Sequence, residues 1–144
     1  MIRHAGLIAR RLGGTWRGVL IEGPSGAGKS DLALRALEHG FRLVADDRVL
    51  VWADKGRLFG RAPDTLLGLI EVRGLDVMTV EPLPFCEVRL LARLETPERI
   101  PDFATEAIVG IEVPRLAVNP FESSAPVKLS RALEAFDAAH KRRI

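Results

Sequence analysis

One glycine-rich segment has the residue types and spacing of a phosphate-binding loop. Residues 23–30 fit the pattern G-x-x-x-x-G-K-[ST]. The glycines let the backbone curl so that its N–H groups face a phosphate, Lys29 can reach the β- and γ-phosphates, and the Ser30 hydroxyl can bind Mg²⁺. The pattern therefore predicts a site for a nucleoside triphosphate. Its residues are Gly23, Pro24, Ser25, Gly26, Ala27, Gly28, Lys29 and Ser30.

A pair of acidic residues follows the next apolar segment. Asp46 and Asp47 come directly after the predicted strand Arg42–Ala45, and open α/β sheets place ligands at the carboxyl ends of their strands. One aspartate at such a position can support Mg²⁺. The second can accept a proton from an attacking hydroxyl group. Next to a phosphate loop, the pair predicts phosphoryl transfer.

A third candidate lies in the segment Leu69–Val80. Glu71 and Arg73 are two residues apart on a predicted strand, so we expect both side chains on the same face. Glu71 offers a carboxylate for a metal ion, and Arg73 offers a bidentate clamp for phosphate. Alone, such a pair is typical of a surface salt bridge, and only the neighbouring motifs favour a catalytic role.

The elements that must position these residues predict an α/β fold. An apolar strand, Gly18–Glu22, precedes the loop, and residues with helical spacing, Ser30–His39, follow it. A closing helix is predicted from Pro126 through His140. The expected architecture is a single P-loop kinase domain with a mixed sheet rather than a regular βαβ array. The other predicted strands are Val49–Trp52, Arg57–Phe59, Leu66–Val72, Val77–Val80, Glu87–Leu94, Ile108–Val113 and Leu116–Val118.

Length and composition exclude several classes of protein. A chain of 144 residues with 47% hydrophobic and 28% charged residues predicts one folded domain over residues 1–144. Basic residues are scattered and the net charge is +2, which argues against nucleic-acid binding. The sequence contains no apolar run of membrane-spanning length and no secretory signal. The lone cysteine, Cys86, excludes an intramolecular disulfide. We therefore expect a cytoplasmic protein.

Three segments in this order resemble the catalytic domain of HPr kinase/phosphorylase. They read GVLIEGPSGAGKSDLAL, HGFRLVADDRV and LFGRAPDTLLGLIEVRGLDVMTV. This bacterial family phosphorylates a serine of the phosphocarrier protein HPr and can reverse the reaction by phosphorolysis. The resemblance covers about residues 1–118. The phosphate-loop pattern is widespread, but LVADD at this distance and IEVRGL after it are specific to the family.

The resemblance implies roles for the residues of these motifs. ATP would bind along residues 23–30, with Lys29 on its phosphates, and Mg²⁺ would bind Ser30 and Glu71. Asp47 would deprotonate the target serine and protonate it in reverse, and Asp46 would support the metal and orient its neighbour.

The resemblance also implies roles for three further residues and for partners. Arg73 lies in a segment that would serve both directions of catalysis. His4 corresponds to a histidine before the family's first strand, and Arg99 to a later catalytic arginine. The partner would be an HPr-type protein, and the expected assembly is a hexamer.

Two departures from the family qualify these expectations. The chain begins almost at the kinase domain, as in compact members that lack an additional N-terminal domain. The family's Pro-Val-Arg-Pro-Gly-Arg segment, linked to dephosphorylation, corresponds here to Leu116–Lys128, which has no arginine pair. Kinase activity is thus predicted ahead of phosphorolysis, with Lys128 or Arg131 as candidate substitutes.

Two other functions remain open at this stage. One is a small-molecule P-loop kinase, although no long arginine-bearing insertion provides the usual lid. The other is a regulatory module that senses a nucleotide without transferring phosphate. The adjacent aspartates argue against the second function, because binding alone needs no general base.

Overall fold

The computed structural model describes residues 1–136, which form eleven strands and two α-helices. The strands are β1 (Ile2–Arg3), β2 (Gly6–Leu12), β3 (Thr15–Glu22), β4 (Phe41–Ala45), β5 (Val49–Asp54), β6 (Arg57–Arg61), β7 (Leu69–Val72), β8 (Asp76–Thr79), β9 (Cys86–Leu94), β10 (Ala104–Ile108) and β11 (Ile111–Val118). The helices are α1 (Lys29–Leu37) and α2 (Ala125–Ala135), with a 3₁₀ turn at Asp64–Leu66.

Nine of these strands form one mixed sheet. Its main order is β1-β5-β6-β9-β3-β2-β4; β11 also pairs with β9, and β10 with β11. β9 is parallel to β3 and to β11, whereas β2 is antiparallel to β3 and to β4. The carboxyl ends of β3, β4, β9 and β11 and the amino end of β2 therefore lie along one edge. The α/β class with a mixed sheet is confirmed.

The central strands are buried on both faces, so consecutive residues contribute to two different cores. Val19 and Ile21 of β3 lie in one apolar cluster and Leu20 lies in the other. Leu90 and Leu91 of β9 divide in the same way. This follows from the period of two along a strand. The central strands are therefore packed on both sides where they approach the edge at which β3 and β4 end.

Both helices cover the same face of the sheet. The second apolar cluster, which contains Leu20, lies on the opposite face and consists of residues from strands and loops, with none from the two described helices. Their buried apolar residues join the cluster that contains Val19 and Ile21. These helix residues are Leu32, Ala33 and Ala36 of α1 and Leu129, Ala132 and Leu133 of α2. The helix expected after the phosphate loop is confirmed, as is the closing helix.

The predicted strand Gly18–Glu22 is present as part of β3, but it is not the first strand of the protein. β1 and β2 precede β3, which itself begins earlier than predicted. Arg10 and Arg11 interrupt the apolar pattern of β2 and obscured it. The detectable signal was Gly13-Gly14, where φ values of 60° and 83° form the two-residue hairpin turn that glycine favours.

Another difference concerns Pro114, which falls in the gap between the predicted strands Ile108–Val113 and Leu116–Val118. It lies inside β11, because pairing with β9 begins only after it and its missing N–H is not needed there. The chain reverses instead at Val109 and Gly110, with φ values of 50° and 81°. A β-branched residue rarely adopts positive φ, so the sequence did not indicate this turn.

The predicted strands Val49–Trp52 and Arg57–Phe59 lie in β5 and β6, which pair as a hairpin with Lys55 and Gly56 in the left-handed region. The strand predicted over Leu66–Val72 starts only at Leu69, because Gly68 has φ 79° and redirects the chain.

Neither described helix is long and apolar enough to cross a membrane.

The closing helix starts at Ala125, with a proline in its first turn, close to the predicted position. The helix ends at Ala135, and the backbone of Phe136 is extended. The predicted helix, which runs through His140, therefore includes at least one residue, Phe136, that is not helical. His140 itself and the basic run Lys141–Arg143 lie outside the described residues.

Candidate active site

Three segments meet at the edge of the sheet where β3 and β4 end and β2 begins. The phosphate loop follows β3, Asp46 and Asp47 follow β4, and His4 immediately precedes Ala5 and β2. The Ala5 N–H donates to the Asp47 carbonyl at 3.1 Å, which ties the last two segments together. The antiparallel position of β2 between β3 and β4 therefore brings His4 to the acidic pair.

The phosphate loop has the conformation that its glycines permit. Gly26 and Gly28 have φ values of 82° and 106°, a region that side chains rarely allow, and α1 begins directly after Gly28. Lys29 is 8% exposed, and its Nζ donates to the carbonyls of Gly23 at 2.9 Å and Pro24 at 3.1 Å. An ammonium has three N–H donors, so these two bonds orient the group toward the loop.

Asp46 connects the loop to the β7 segment. Its side chain is buried; Oδ1 accepts from Ser30 Oγ at 2.7 Å and Oδ2 accepts from the Glu71 backbone N–H at 3.0 Å. Both carboxylate oxygens are therefore engaged in holding other groups of the site. The Ser30 hydroxyl is held at the start of α1, where the partial positive charge of a helix N-terminus favours anions.

Asp47 has the opposite environment. Its side chain is 54% exposed; Oδ1 lies 2.7 Å from His4 Nε2 and Oδ2 lies 2.9 Å from Arg48 Nη1. Its φ of 73° is left-handed, a conformation that aspartate and asparagine tolerate better than most side chains. This backbone turn sends adjacent carboxylates in different directions, one into the protein and one into the cleft. Such a strained residue is a reason to infer function.

Glu71 and Arg73 both line the site, but not as predicted. Glu71 lies in β7, whereas Arg73 lies in the turn between β7 and β8, so the two do not share a strand face. Both side chains are exposed and reach a cleft of about 290 Å³ that also contains His4, residues of the phosphate loop and Asp47. The turn between β7 and β8 therefore brings Arg73 into the same cleft as Glu71, which strand alternation was expected to do.

A second cavity of about 630 Å³ lies beside the first, and Asp47, Glu71 and Arg73 line both. Its other walls include apolar residues of the 66–77 segment, among them Leu75 and Val77, both exposed. Asp47 thus lies between a polar cleft at the phosphate loop and a more apolar cleft.

The oxygen atoms at the site suit a magnesium ion. Ser30, Asp46 and Glu71 provide one hydroxyl and two carboxylates, the hard donors that Mg²⁺ prefers. Within residues 1–136 no group of three or more His, Cys, Asp or Glu side chains is arranged to hold a metal ion by itself. Mg²⁺ is commonly bound by one or two carboxylates acting together with substrate phosphates.

Arg99 is not brought to this site. It is exposed in the segment between β9 and β10, outside both clefts, and its catalytic role stays a prediction. Lys128 and Arg131 form ion pairs with Glu122 at 2.6 Å and Glu134 at 3.4 Å, so each has an acidic partner near its own helix. Sequence reasoning missed Arg48, whose signal was its place directly after the acidic pair.

Comparison with known proteins gives concordant results. The family model described as HPr Serine kinase C-terminal domain matches residues 14–88, which contain the phosphate loop, both aspartates, Glu71 and Arg73. HPr kinase/phosphorylase of Limosilactobacillus reuteri (strain DSM 20016) is 40% identical over 131 residues, covering 81% of this chain and 39% of that protein. That of Streptococcus thermophilus (strain ATCC BAA-491 / LMD-9) is 53% identical over 64 residues, covering 44% and 21%.

The fold agrees with a solved structure. The Hpr(Ser) kinase/phosphatase from Coxiella burnetii superposes with a TM-score of 0.77 at 26% identity, covering 93% of this chain and 88% of that chain. The chain spans about 39% of the Limosilactobacillus relative's length. Since the matched family model includes more than half of the chain and every motif at the site except His4, this protein belongs to the HPr serine kinase C-terminal domain family.

Proposed function

We propose that this chain is an ATP-dependent protein-serine kinase that phosphorylates an HPr-type phosphocarrier protein and catalyses the reverse phosphorolysis. The observation that carries the proposal is the separation of Asp46 and Asp47. Asp46 is buried and occupied by Ser30 and the β7 backbone, whereas Asp47 faces the cleft between His4 and Arg48. A nucleotide sensor has no use for a second, outward carboxylate.

In the forward reaction the serine oxygen attacks the γ-phosphorus, and the bond from that phosphorus to the β–γ bridging oxygen breaks, releasing ADP. Asp47 accepts the serine proton, since an ionised carboxylate is an acceptor only. His4 and Arg48 hold the two oxygens of Asp47, which fixes its direction. Mg²⁺ held by Ser30 and Glu71 would neutralise charge on the phosphates.

In the reverse reaction an oxygen of inorganic phosphate attacks the phosphoserine phosphorus. The serine oxygen leaves and takes the proton from Asp47, and the products are serine and pyrophosphate. Arg73, exposed in the cleft, is suited to bind the attacking phosphate. Because segment 116–128 has no arginine pair, we rank this direction after the kinase reaction.

Incubation with γ-labelled ATP, Mg²⁺ and purified HPr-type protein tests the proposal. Label on an HPr serine supports it. Binding of ATP without transfer indicates a nucleotide sensor, and transfer only to a low-molecular-weight acceptor indicates a small-molecule kinase. The proposal includes a hexameric assembly, which the resemblance to the family implies. Sedimentation of the same preparation measures the number of chains in the assembly.

Replacing Asp47 by Asn tests the general base. Asn tolerates the left-handed backbone but cannot accept the proton, so transfer should fall by about 10²-fold or more, as expected for loss of a general base. Phosphorolysis should fall in parallel, while ATP–Mg²⁺ binding changes little. Rapid-mixing assays and nucleotide titrations measure the two effects.

Asp46→Asn is the matched variant and should lose Mg²⁺ affinity together with rate, because Asp46 holds Ser30. Normal transfer by Asp47→Asn, with Asp46→Asn inactive but unchanged in metal affinity, would mean that the two roles are reversed.

A further inference from the structure

The loop between β11 and α2, residues 119–124, lies beside the phosphate loop on the side away from the acidic pair. Along the catalytic edge the strand order is β4-β2-β3-β9-β11. The phosphate loop follows β3, the middle strand of these five. The acidic pair follows β4 and the 119–124 loop follows β11, so each lies two strands from the phosphate loop, roughly 9–10 Å at ordinary strand spacing. A ligand that crosses the phosphate loop with its terminal phosphate near Asp47 would have its other end on the side of the 119–124 loop.

Hydrogen bonds hold the 119–124 loop against α1. Arg35, on α1, donates to the carbonyl of Pro120 and to that of Glu122, the latter at 3.3 Å. Within the loop, the Asn119 side-chain oxygen accepts from the Phe121 N–H at 3.0 Å. The helix that begins at the phosphate loop thus also positions Phe121.

Phe121 projects from this anchored loop beside the phosphate loop. A methyl group placed on Gly28 would lie 3.4 Å from Cγ of Pro120 and 3.7 Å from Cε1 of Phe121. Phe121 therefore lies near Gly28, yet its side chain is exposed, with 76% of the residue's surface accessible. An aromatic ring that projects from an anchored loop and is open to solvent is suited to stack a planar group.

We propose that Phe121 is the stacking platform for the adenine base of the nucleotide whose phosphates occupy residues 23–30. The inference rests on the proposed use of ATP and adds the subsite for its base. Because stacking uses the π-face that every base has, it provides affinity with little discrimination between purines. The hydrogen bonds from Arg35 to the 119–124 loop keep Phe121 at a constant distance from the phosphate loop.

The test compares a ligand that has a base with one that does not. Loss of one base–aromatic stack corresponds to roughly 5- to 150-fold in affinity. Phe121→Ala should therefore weaken ATP–Mg²⁺ binding by about 5-fold or more and leave binding of inorganic triphosphate unchanged. Calorimetric titration of both ligands measures this ratio. Phe85→Ala is the matched control, since Phe85 is also exposed but precedes the amino end of β9.

A conservative variant gives a second signal. Phe121→Trp should restore ATP affinity, and its fluorescence should change on adding ATP but not inorganic triphosphate. The wild type, whose two tryptophans are Trp16 and Trp52, gives the background signal. A purely structural role of the ring would not produce this ligand-dependent difference.

Equal losses for ATP and triphosphate, or no loss for either, would overturn the stacking assignment while leaving phosphate binding and HPr phosphorylation to stand. Failure of wild-type protein to bind ATP while it binds triphosphate would remove the proposed donor, and the base subsite with it. ATP binding and an ATP-specific Phe121 effect, without transfer to HPr, would support the subsite and overturn only the proposed acceptor.

Discussion

Asp46 and Asp47 are neighbours in sequence but have different chemical surroundings. The positive φ of Asp47 turns the chain between them, so that one carboxylate is buried against Ser30 and the other is held in the cleft by His4 and Arg48. The structural aspartate and the proposed general base therefore differ in burial and partners rather than in residue type. The mechanistic proposal depends on this single backbone turn.

Lys29 is the residue on which the proposed phosphate binding depends most directly. Its side chain is buried, and Nζ donates to the carbonyls of Gly23 and Pro24. Lys29→Ala should lower transfer by roughly 10²-fold or more, the scale for losing one donor to the transition state. It should also loosen the loop. Lys29→Met, which keeps most of the apolar stem, separates the effects: activity should stay low while thermal stability recovers toward wild type.

Turnover assays and thermal unfolding of both Lys29 variants measure these quantities. Near-normal turnover in either variant would be incompatible with the P-loop mechanism.

Glu71 and Arg73 share a cleft but have different expected roles. Losing even an outer-shell partner costs a metal site about 10–100-fold in affinity, so Glu71→Gln should raise the half-saturating Mg²⁺ concentration by at least ~10-fold. Arg73→Ala should instead weaken phosphate and pyrophosphate binding and leave the metal requirement nearly unchanged. Mg²⁺ titrations of both variants separate the roles, and identical curves for Glu71→Gln and wild type would refute the ligand assignment.

At the scale of elements, the site depends on the close approach of β3 and β9. The register between them shifts after Gly18. A Cβ at Gly18 would lie 2.6 Å from Sγ of Cys86 and 2.7 Å from the carbonyl oxygen of Glu87, closer than atoms can pack. A glycine is therefore required where β3 crosses the start of β9, well before the phosphate loop.

Gly18→Ala should lower the free energy of unfolding by about 1–3 kcal/mol or more, as overpacking typically does. Urea denaturation measures the change. Gly6→Ala is the control, because its new methyl group would make only ordinary contacts, at 3.8 Å and 3.9 Å. An undiminished stability of Gly18→Ala would show that β3 and β9 can separate without cost.

At the scale of the whole molecule, an ion-pair network ties distant segments together near the phosphate loop. Glu22, the last residue of β3, pairs with Arg3 at 2.5 Å and with Arg93 at 3.2 Å, and Arg93 also pairs with Glu106 of β10 at 3.1 Å. The hydrogen bond to Glu22 raises the pKa of Arg3 above its usual value. The network joins β1, β3, β9 and β10 at the edge that carries the site.

The buried thiol of Cys86 makes overall stability depend on pH in alkaline solution. Burial, with a smaller contribution from the Glu87 charge, raises the pKa of Cys86 from 9.0 to about 12. Between these values the unfolded chain loses the proton and the folded chain keeps it. The unfolded state then binds fewer protons, so the free energy of unfolding falls as pH rises. The contribution is fully present below pH 9 and is lost through pH 12.

Denaturant unfolding between pH 8 and about 10.5 measures this effect. The wild type should lose about 1 kcal/mol per pH unit more than Cys86→Ala above pH 9, because each differentially bound proton contributes that slope. Parallel pH profiles for the two proteins would contradict the burial of the thiol.

The parts of this protein whose chemistry is local could be predicted from the sequence. The phosphate loop needs glycines at fixed spacing followed by Lys and Ser, and the strand before it and the helix after it have clear periodicity. Asp46 and Asp47 were recognisable because they end an apolar strand. These features sufficed to predict the α/β class, the loop, the acidic pair and the family.

Tertiary structure alone decided which residues meet at the site and which do not. His4 reaches Asp47 because β2, whose apolar pattern two arginines interrupt, inserts between β3 and β4. Arg73 enters the cleft through a turn rather than along a strand, Arg99 stays outside it, and Phe121 comes to the phosphate loop through β11. Strand order and backbone turns set these distances, and they result from packing among segments far apart in sequence, which local patterns do not encode.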